Sequence, residues 1–153
     1  MKTHTRIAAI VLASLLIGSQ AFAQSLSSCS NALLKGTYGF TLDGQKLAGM
    51  GPTGPQVGVA LTTFDGMGTL TQIDTVTVNG MVVSDFTHSP ATGTYSVNSN
   101  CTGTFTLNFT DGRPVVVANF VLSQAGFQID TVVISAGGQQ GILALRSTGK
   151  RVL

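Results

Sequence analysis

Residues 92–109, TGTYSVNSNCTGTFTLNF, constrain the fold of this chain more than any other stretch. Tyr95 and Val97 alternate with Thr94 and Ser96, and Phe105, Leu107 and Phe109 alternate with Thr104, Thr106 and Asn108. A period of two written in β-branched and aromatic residues predicts two strands, each with one apolar and one polar face. The turn formers Asn98-Ser99-Asn100-Cys101-Thr102-Gly103 lie between them, which makes the pair a β-hairpin in the middle of an antiparallel sheet. Paired across a short turn, Tyr95, Val97, Phe105, Leu107 and Phe109 share one side, expected to be buried, while the threonine side is expected to be exposed. The alternative puts the threonines in a wet lumen and the aromatics outside.

The same grammar runs along the chain. Strands are expected over 37–42, 56–64, 69–78, 81–87, 113–122, 127–135 and 141–146. Asp65-Gly66-Met67-Gly68 and Asn79-Gly80 are tight-turn signals between them. Asp43-Gly44 is expected to break the first strand, and 147–153 to be a frayed tail. Residues 30–35, SNALLK, before Gly36 predict one short helical turn. No segment after the leader holds a helical period. The fold class is therefore all-β, an antiparallel up-and-down barrel of about eight strands, whose closure removes exposed edges. A two-sheet β-sandwich is the alternative that the same spacing permits. Residues 115–122 are apolar on both phases, which predicts a strand buried on both sides. A membrane barrel needs aromatic girdles, and this chain has no Trp and two Tyr.

Residues 1–23 read as a signal peptide: Lys2 and Arg6, then the apolar IAAIVLASLLIG, then Ala21-Phe22-Ala23 as a small-x-small cleavage site. Cleavage would leave 24–153 as a single β-barrel domain without an integral membrane span, secreted or periplasmic. The whole chain has eight Lys/Arg and six Asp/Glu, so losing Lys2 and Arg6 leaves six of each sign. No basic field remains to attract nucleic acid or anionic lipid. Leu26-Ser27-Ser28-Cys29 fits a lipobox and gives an alternative localisation, a lipoprotein anchored through Cys29. That would leave Cys101 unpaired in an oxidising compartment, so a Cys29–Cys101 disulfide is expected.

A resemblance follows from Cys29, Leu34-x-Gly36-x-Tyr38-x-Phe40, the Phe64-Asp65-Gly66-x-Gly68 turn, the Asn79-Gly80 hairpin, Gly93-Thr94-Tyr95-x-Val97 and Cys101-Thr102-Gly103-Thr104. The chain resembles a group of small secreted bacterial proteins with the allene oxide cyclase barrel-like, calycin-type fold. These motifs are turns and strand entries, so the resemblance implies a fold and transfers no functional residue. The plant cyclases of that fold use a buried glutamate, and this chain contains none.

Few constellations carry chemistry. After the leader the chain has one histidine, His88, and two cysteines expected to pair, too few ligands for zinc. The aspartates lack the D-x-D-x-D spacing of a calcium loop. GMGPTGP at 49–55 lacks the Lys-Ser/Thr ending of a phosphate loop. No G-x-S-x-G occurs, and His88 before Ser89-Pro90 reads as a solvated loop residue. No catalytic residue, metal or cofactor is assigned. Asp74 and Asp130 lie mid-strand and, with Arg146, are the candidate polar residues of a lumen. Three functional classes stay open: a barrel binding a small apolar or amphipathic ligand, a structural or surface-interaction module, and a cyclase-like enzyme using the lumen as a shaped cavity. The sequence leaves the ligand and the oligomeric state open.

Overall fold

A computed structural model describes residues 28–152; the leader expected at 1–23 lies outside them. The chain forms nine strands: β1 (Gly36–Lys46), β2 (Gly54–Phe64), β3 (Thr69–Val78), β4 (Met81–Ser84), β5 (Ala91–Val97), β6 (Thr102–Phe109), β7 (Val116–Ser123), β8 (Gln128–Ala136) and β9 (Leu143–Arg151). Two 3-10 turns, Asn31–Leu34 and Gln124–Gly126, are the only helical elements among the described residues. All pairings are antiparallel, and β1-β2-β3-β5-β6-β7-β8-β9 closes back on β1. One sheet closed on itself is a barrel and not a sandwich. Strand β4 is a spur that pairs with the far half of β3, from Val76 to Val78, while β5 takes the near half, from Thr69 to Gln72.

The central hairpin aligns Tyr95 with Phe105 and Val97 with Gly103. Tyr95, Phe105 and Leu107 are buried, Val97 and Phe109 partly so, and Thr94, Ser96, Thr104 and Asn108 are exposed. The aromatic side is therefore the inside. Phe105→Ala should cost about 3 kcal/mol, the low end for a buried phenylalanine, because part of its ring faces open lumen and has fewer contacts to lose. Thr104→Ala should stay within about 1 kcal/mol. Urea melts of the two variants check this, and a neutral Phe105→Ala beside a damaging Thr104→Ala would reverse inside and outside.

Several boundaries differ from the pattern expected. Strand β1 runs through Asp43-Gly44 to Lys46. Gly44, at φ +150, is a close-approach point: a Cβ there would lie 2.0 Å from the Ala144 carbonyl oxygen of β9. The glycine thus lets the strand continue past its neighbour. The expected frayed tail is the second half of β9, paired with β1 from Thr41↔Thr148 to Tyr38↔Arg151. Its polar sequence hides an inward position at Gly149, where a Cβ would fall 2.4 Å from the Phe40 ring. Strand β4 ends at Ser84 because Asp85 folds back to cap the turn, accepting bonds from the Thr87 and His88 amides. Strand β7 begins at Val116, which leaves Arg113 in a loop. It is also one-sided: Ala118, Phe120 and Leu122 are buried, whereas Asn119 and Val121 are exposed.

One end of the barrel is sealed. Tyr38, Phe64 and Tyr95 stack edge to face, with centroids 5.4 and 5.0 Å apart, and Leu34 of the first 3-10 turn is fully buried with them. Arg151 donates to the Tyr38 hydroxyl at 2.9 Å and to the Leu33 carbonyl at 2.7 Å. Tyr38 in turn donates to the Gly126 carbonyl at 2.5 Å, which joins both 3-10 turns to the barrel floor. The Cys29–Cys101 disulfide, with Cα atoms 5.0 Å apart, ties the N-terminal segment to the hairpin turn. Among the described residues no cysteine is left free. The disulfide is consistent with an oxidising extracellular or periplasmic location. No helix among the described residues is long and apolar enough to cross a membrane.

Candidate functional site

Because the floor is sealed and the chain is short of large side chains on several inward positions, the barrel keeps an open interior. Ala60 on β2 and Ala118 on β7 both fall on the inner phase and line the open space. The resulting cavity has a volume of about 630 Å³. It extends from Phe64 and Leu70 near the floor to loop residues Ala48, Met50, Gly112 and Gln139 at the opposite end, which is the mouth. Met50 at the rim is 93% exposed, and Leu47 and Val83 add further exposed apolar surface nearby.

The lumen has two different walls. Phe105, Leu107, Val116, Ala118, Val133 and Leu145 make an apolar wall from β6, β7, β8 and β9. Facing it, β2 and β3 place Gln56, Thr62, Gln72 and Asp74 on the inner phase. Strand β2 is inverted relative to the usual pattern, since its outward residues Val57, Val59 and Leu61 are apolar and exposed while its inward ones include Gln56 and Thr62.

Asp74 is the centre of the polar wall, and the topology explains why. It lies between Gln72, the last β3 residue paired with β5, and Val76, the first paired with β4. The edge of β3 is therefore open at Asp74, where backbone groups need another partner. Ser89 closes the gap: its Oγ accepts from the Asp74 amide at 3.0 Å and donates to the Asp74 carbonyl at 2.6 Å. The Asp74 side chain, in a residue only 2% exposed, accepts two parallel bonds from Arg113, both at 3.0 Å. It also accepts from Ser84 at 2.7 Å and from Gln72 at 3.3 Å. Arg113 donates a third bond to Asp111 at 2.7 Å, and its guanidinium lies 3.9 Å from the centre of the Phe109 ring. A bidentate guanidinium–carboxylate pair with further donors on the same oxygens satisfies the acid almost completely. Gln72 accepts from Thr62 at 2.9 Å, which extends the network along the wall.

Of the three polar residues expected in the lumen, only Asp74 presents its side chain there. Asp130 sits between the inward Ile129 and Thr131, on the outer face of β8. There it accepts from Thr148 at 2.9 Å and from Gln128 at 2.9 Å. Arg146 contributes to the cavity wall, but its side chain is 77% exposed and turned outward to Asp43 at 3.1 Å. Arg113, Gln56 and Gln72 were absent from the expected set. For Gln56 and Gln72 a signal existed, since each shares the phase of buried apolar residues on its strand. For Arg113 there was none, because its partner Asp74 lies 39 positions away.

Elsewhere, the Asp65 carboxylate caps the β2–β3 turn, accepting from Thr69 Oγ1 at 2.6 Å and from the amides of Met67, Gly68 and Thr69. The Thr69 hydroxyl above all, with the amides, holds its pKa well below the usual carboxylate range. His88 is an exposed loop residue bonded to Asp85 at 2.9 Å and does not line the lumen. Among the described residues no group of three or more His, Cys, Asp or Glu is placed to hold a metal ion. Comparisons of the chain with family models, with curated proteins and with solved structures found no match.

Proposed function

We propose that this protein is a secreted, non-enzymatic β-barrel that binds a small apolar or amphipathic molecule in its lumen. The observation that carries this reading is the cavity of about 630 Å³, sealed at one end and open at the other. That volume lies within the range of small-molecule sites, which are mostly apolar with a few placed polar groups. The two-walled lining suits an occupant with an apolar body and a limited polar portion. Catalysis has less support: Asp74, Arg113 and Asp111 are engaged with one another, so these three charged groups are occupied in building the lumen wall. The resemblance to calycin-type barrels and the disulfide both accord with an exported binding protein. A second reading, a surface-interaction module, is favoured by the exposed stripe Val57, Val59 and Leu61 on the outside of β2.

Titration with N-phenyl-1-naphthylamine, a neutral dye that brightens in apolar surroundings, tests the lumen. Binding should saturate at one dye per chain. Ala60→Phe, which fills the cavity from β2, should weaken it by about tenfold or more, equivalent to ~1.4 kcal/mol. Unsaturable binding, or binding indifferent to Ala60→Phe, would favour the surface stripe instead.

A further inference from the structure

We infer that the ligand of the lumen is an amphipathic anion, an apolar chain ending in a carboxylate, whose head seats on the Lys46 ammonium at the mouth. This rests on the lumen-binding reading and names the charge of the ligand's head.

The charged side chains lining the cavity are Lys46, Asp74, Asp111, Arg113 and Arg146. Arg113 is shared between Asp74 and Asp111, and Arg146 turns outward to Asp43. Lys46 differs from these: among the described residues it pairs with no carboxylate, and it donates only to the Met50 carbonyl. An ammonium has three donors, so two are left for another acceptor.

The register places this cation at the rim. Lys46 ends β1, half-buried, on the inner phase it shares with Phe40 and Leu42. Gly54 of β2 stands opposite it, and Gln56 lies on the diagonal, across from Gly44. The two glycines bring no side chain into this corner, so Lys46 and Gln56 set its chemistry. Gln56 can offer the lumen only its Nε2, because its Oε1 is buried in the wall. Both polar side chains of the corner therefore present donors, which suits a head that only accepts. Asp111 and Arg113 belong to the loop after β6, on the opposite side of the ring from β1.

The uncommitted charge of the lining is thus positive. An ammonium head would find the acids already held by Arg113 and would be repelled by Lys46. A hydroxyl would gain a single neutral hydrogen bond. A carboxylate gains charge-assisted bonds to Lys46. At the open mouth it also keeps part of its hydration, which limits the desolvation that a deeply buried charge would suffer. The apolar chain then lies along the Phe105–Leu145 wall.

The test uses three probes with one body: decanoate, 1-decanol and decylammonium, each competed against N-phenyl-1-naphthylamine at pH 8. Decanoate should bind about fivefold or more tightly than decanol, although its charge makes it the better hydrated of the two, and decylammonium should bind weakest. Lys46→Gln keeps a donor for the Met50 carbonyl and removes the charge. In that variant decanoate should lose its advantage while decanol binding changes less than twofold, and Lys46→Arg should restore the advantage. Arg146→Met removes the same unit of charge from a cation already paired outside, and should leave the ranking as it is. Decanol binding as tightly as decanoate in the natural protein would overturn the inference, as it would if Lys46 only pinned the loop that follows β1. So would decylammonium binding tightest, an advantage that survives Lys46→Gln or is lost equally in Arg146→Met, or dye that no probe displaces. Lys46→Met repeats the comparison in case Lys46→Gln does not fold. Failure of the dye itself to bind would instead remove the lumen-binding reading.

Discussion

Arg113→Ala should destabilise the protein by about 3–5 kcal/mol, the cost of stranding a buried carboxylate by removing its partner. Asp74 sits at the one place where β3 passes from β5 to β4, and its side chain is 3% exposed against 22% for Arg113. Without the guanidinium, Ser84 and Gln72 remain as donors, but the charge has no counterpart. The loss should exceed that of an ordinary surface arginine severalfold, since exposed ion pairs contribute about 0–1 kcal/mol. Asp43–Arg146, exposed on both sides, provides the internal control: Arg146→Ala should change stability by less than about 1 kcal/mol. The double variant Asp74→Asn/Arg113→Met should recover more than half of the loss, because it removes the unpaired charge and keeps an acceptor for Ser84. Urea denaturation of the four proteins at pH 7 gives the comparison. An Arg113→Ala effect no larger than that of Arg146→Ala would mean that the pair does not hold the β3 junction.

Breaking the Cys29–Cys101 bond should cost about 4 kcal/mol for a loop closed over 72 positions. In a domain of this size that corresponds to a fall in Tm of roughly 10–20 °C. The bond does more than shorten the unfolded chain. Cys29 lies just before the 3-10 turn whose Leu34 fills the barrel floor, and its amide donates to Ser99 in the hairpin turn at 3.2 Å. Reduction should therefore loosen the sealed end first. Hydrogen exchange at Leu33 and Val97, whose amides bond to Ser30 and Asn31, should accelerate before exchange in β7 and β8. A fully reduced protein, verified by mass, that melts at the temperature of the oxidised one would contradict this.

The architecture was legible because alternation and turn chemistry are local signals. Asn79-Gly80 and Asp65-Gly66 mark their turns, and Tyr95, Phe105 and Leu107 mark their face, without knowledge of anything distant. The misread elements depend on distant partners. Gly44 looks like a strand breaker until β9 is known to press against it. Residues 147–151 look like a polar tail until Gly149 is seen beneath the Phe40 ring and Arg151 against Tyr38.

The site was legible only in part, for the same reason. Asp74 shares the phase of Leu70, Val76 and Val78, which places it inside. The same reading would have sent Asp130 outside, between the inward Ile129 and Thr131. Phase, and not mid-strand position, is the informative property. Arg113 carries no such mark, since it reaches the lumen wall from a loop.

Whether the lumen holds a small molecule decides what this barrel does. Native mass spectrometry should decide this most directly, on protein exported to a bacterial periplasm, purified without organic solvent and incubated with a total lipid extract. The oxidised chain should carry one small-molecule adduct that dissociates on collisional heating and is missing from Ala60→Phe, while Val59→Ser on the outer face keeps it. The bare mass alone in the natural protein, or an adduct retained by Ala60→Phe and lost by Val59→Ser, would contradict a ligand in the lumen.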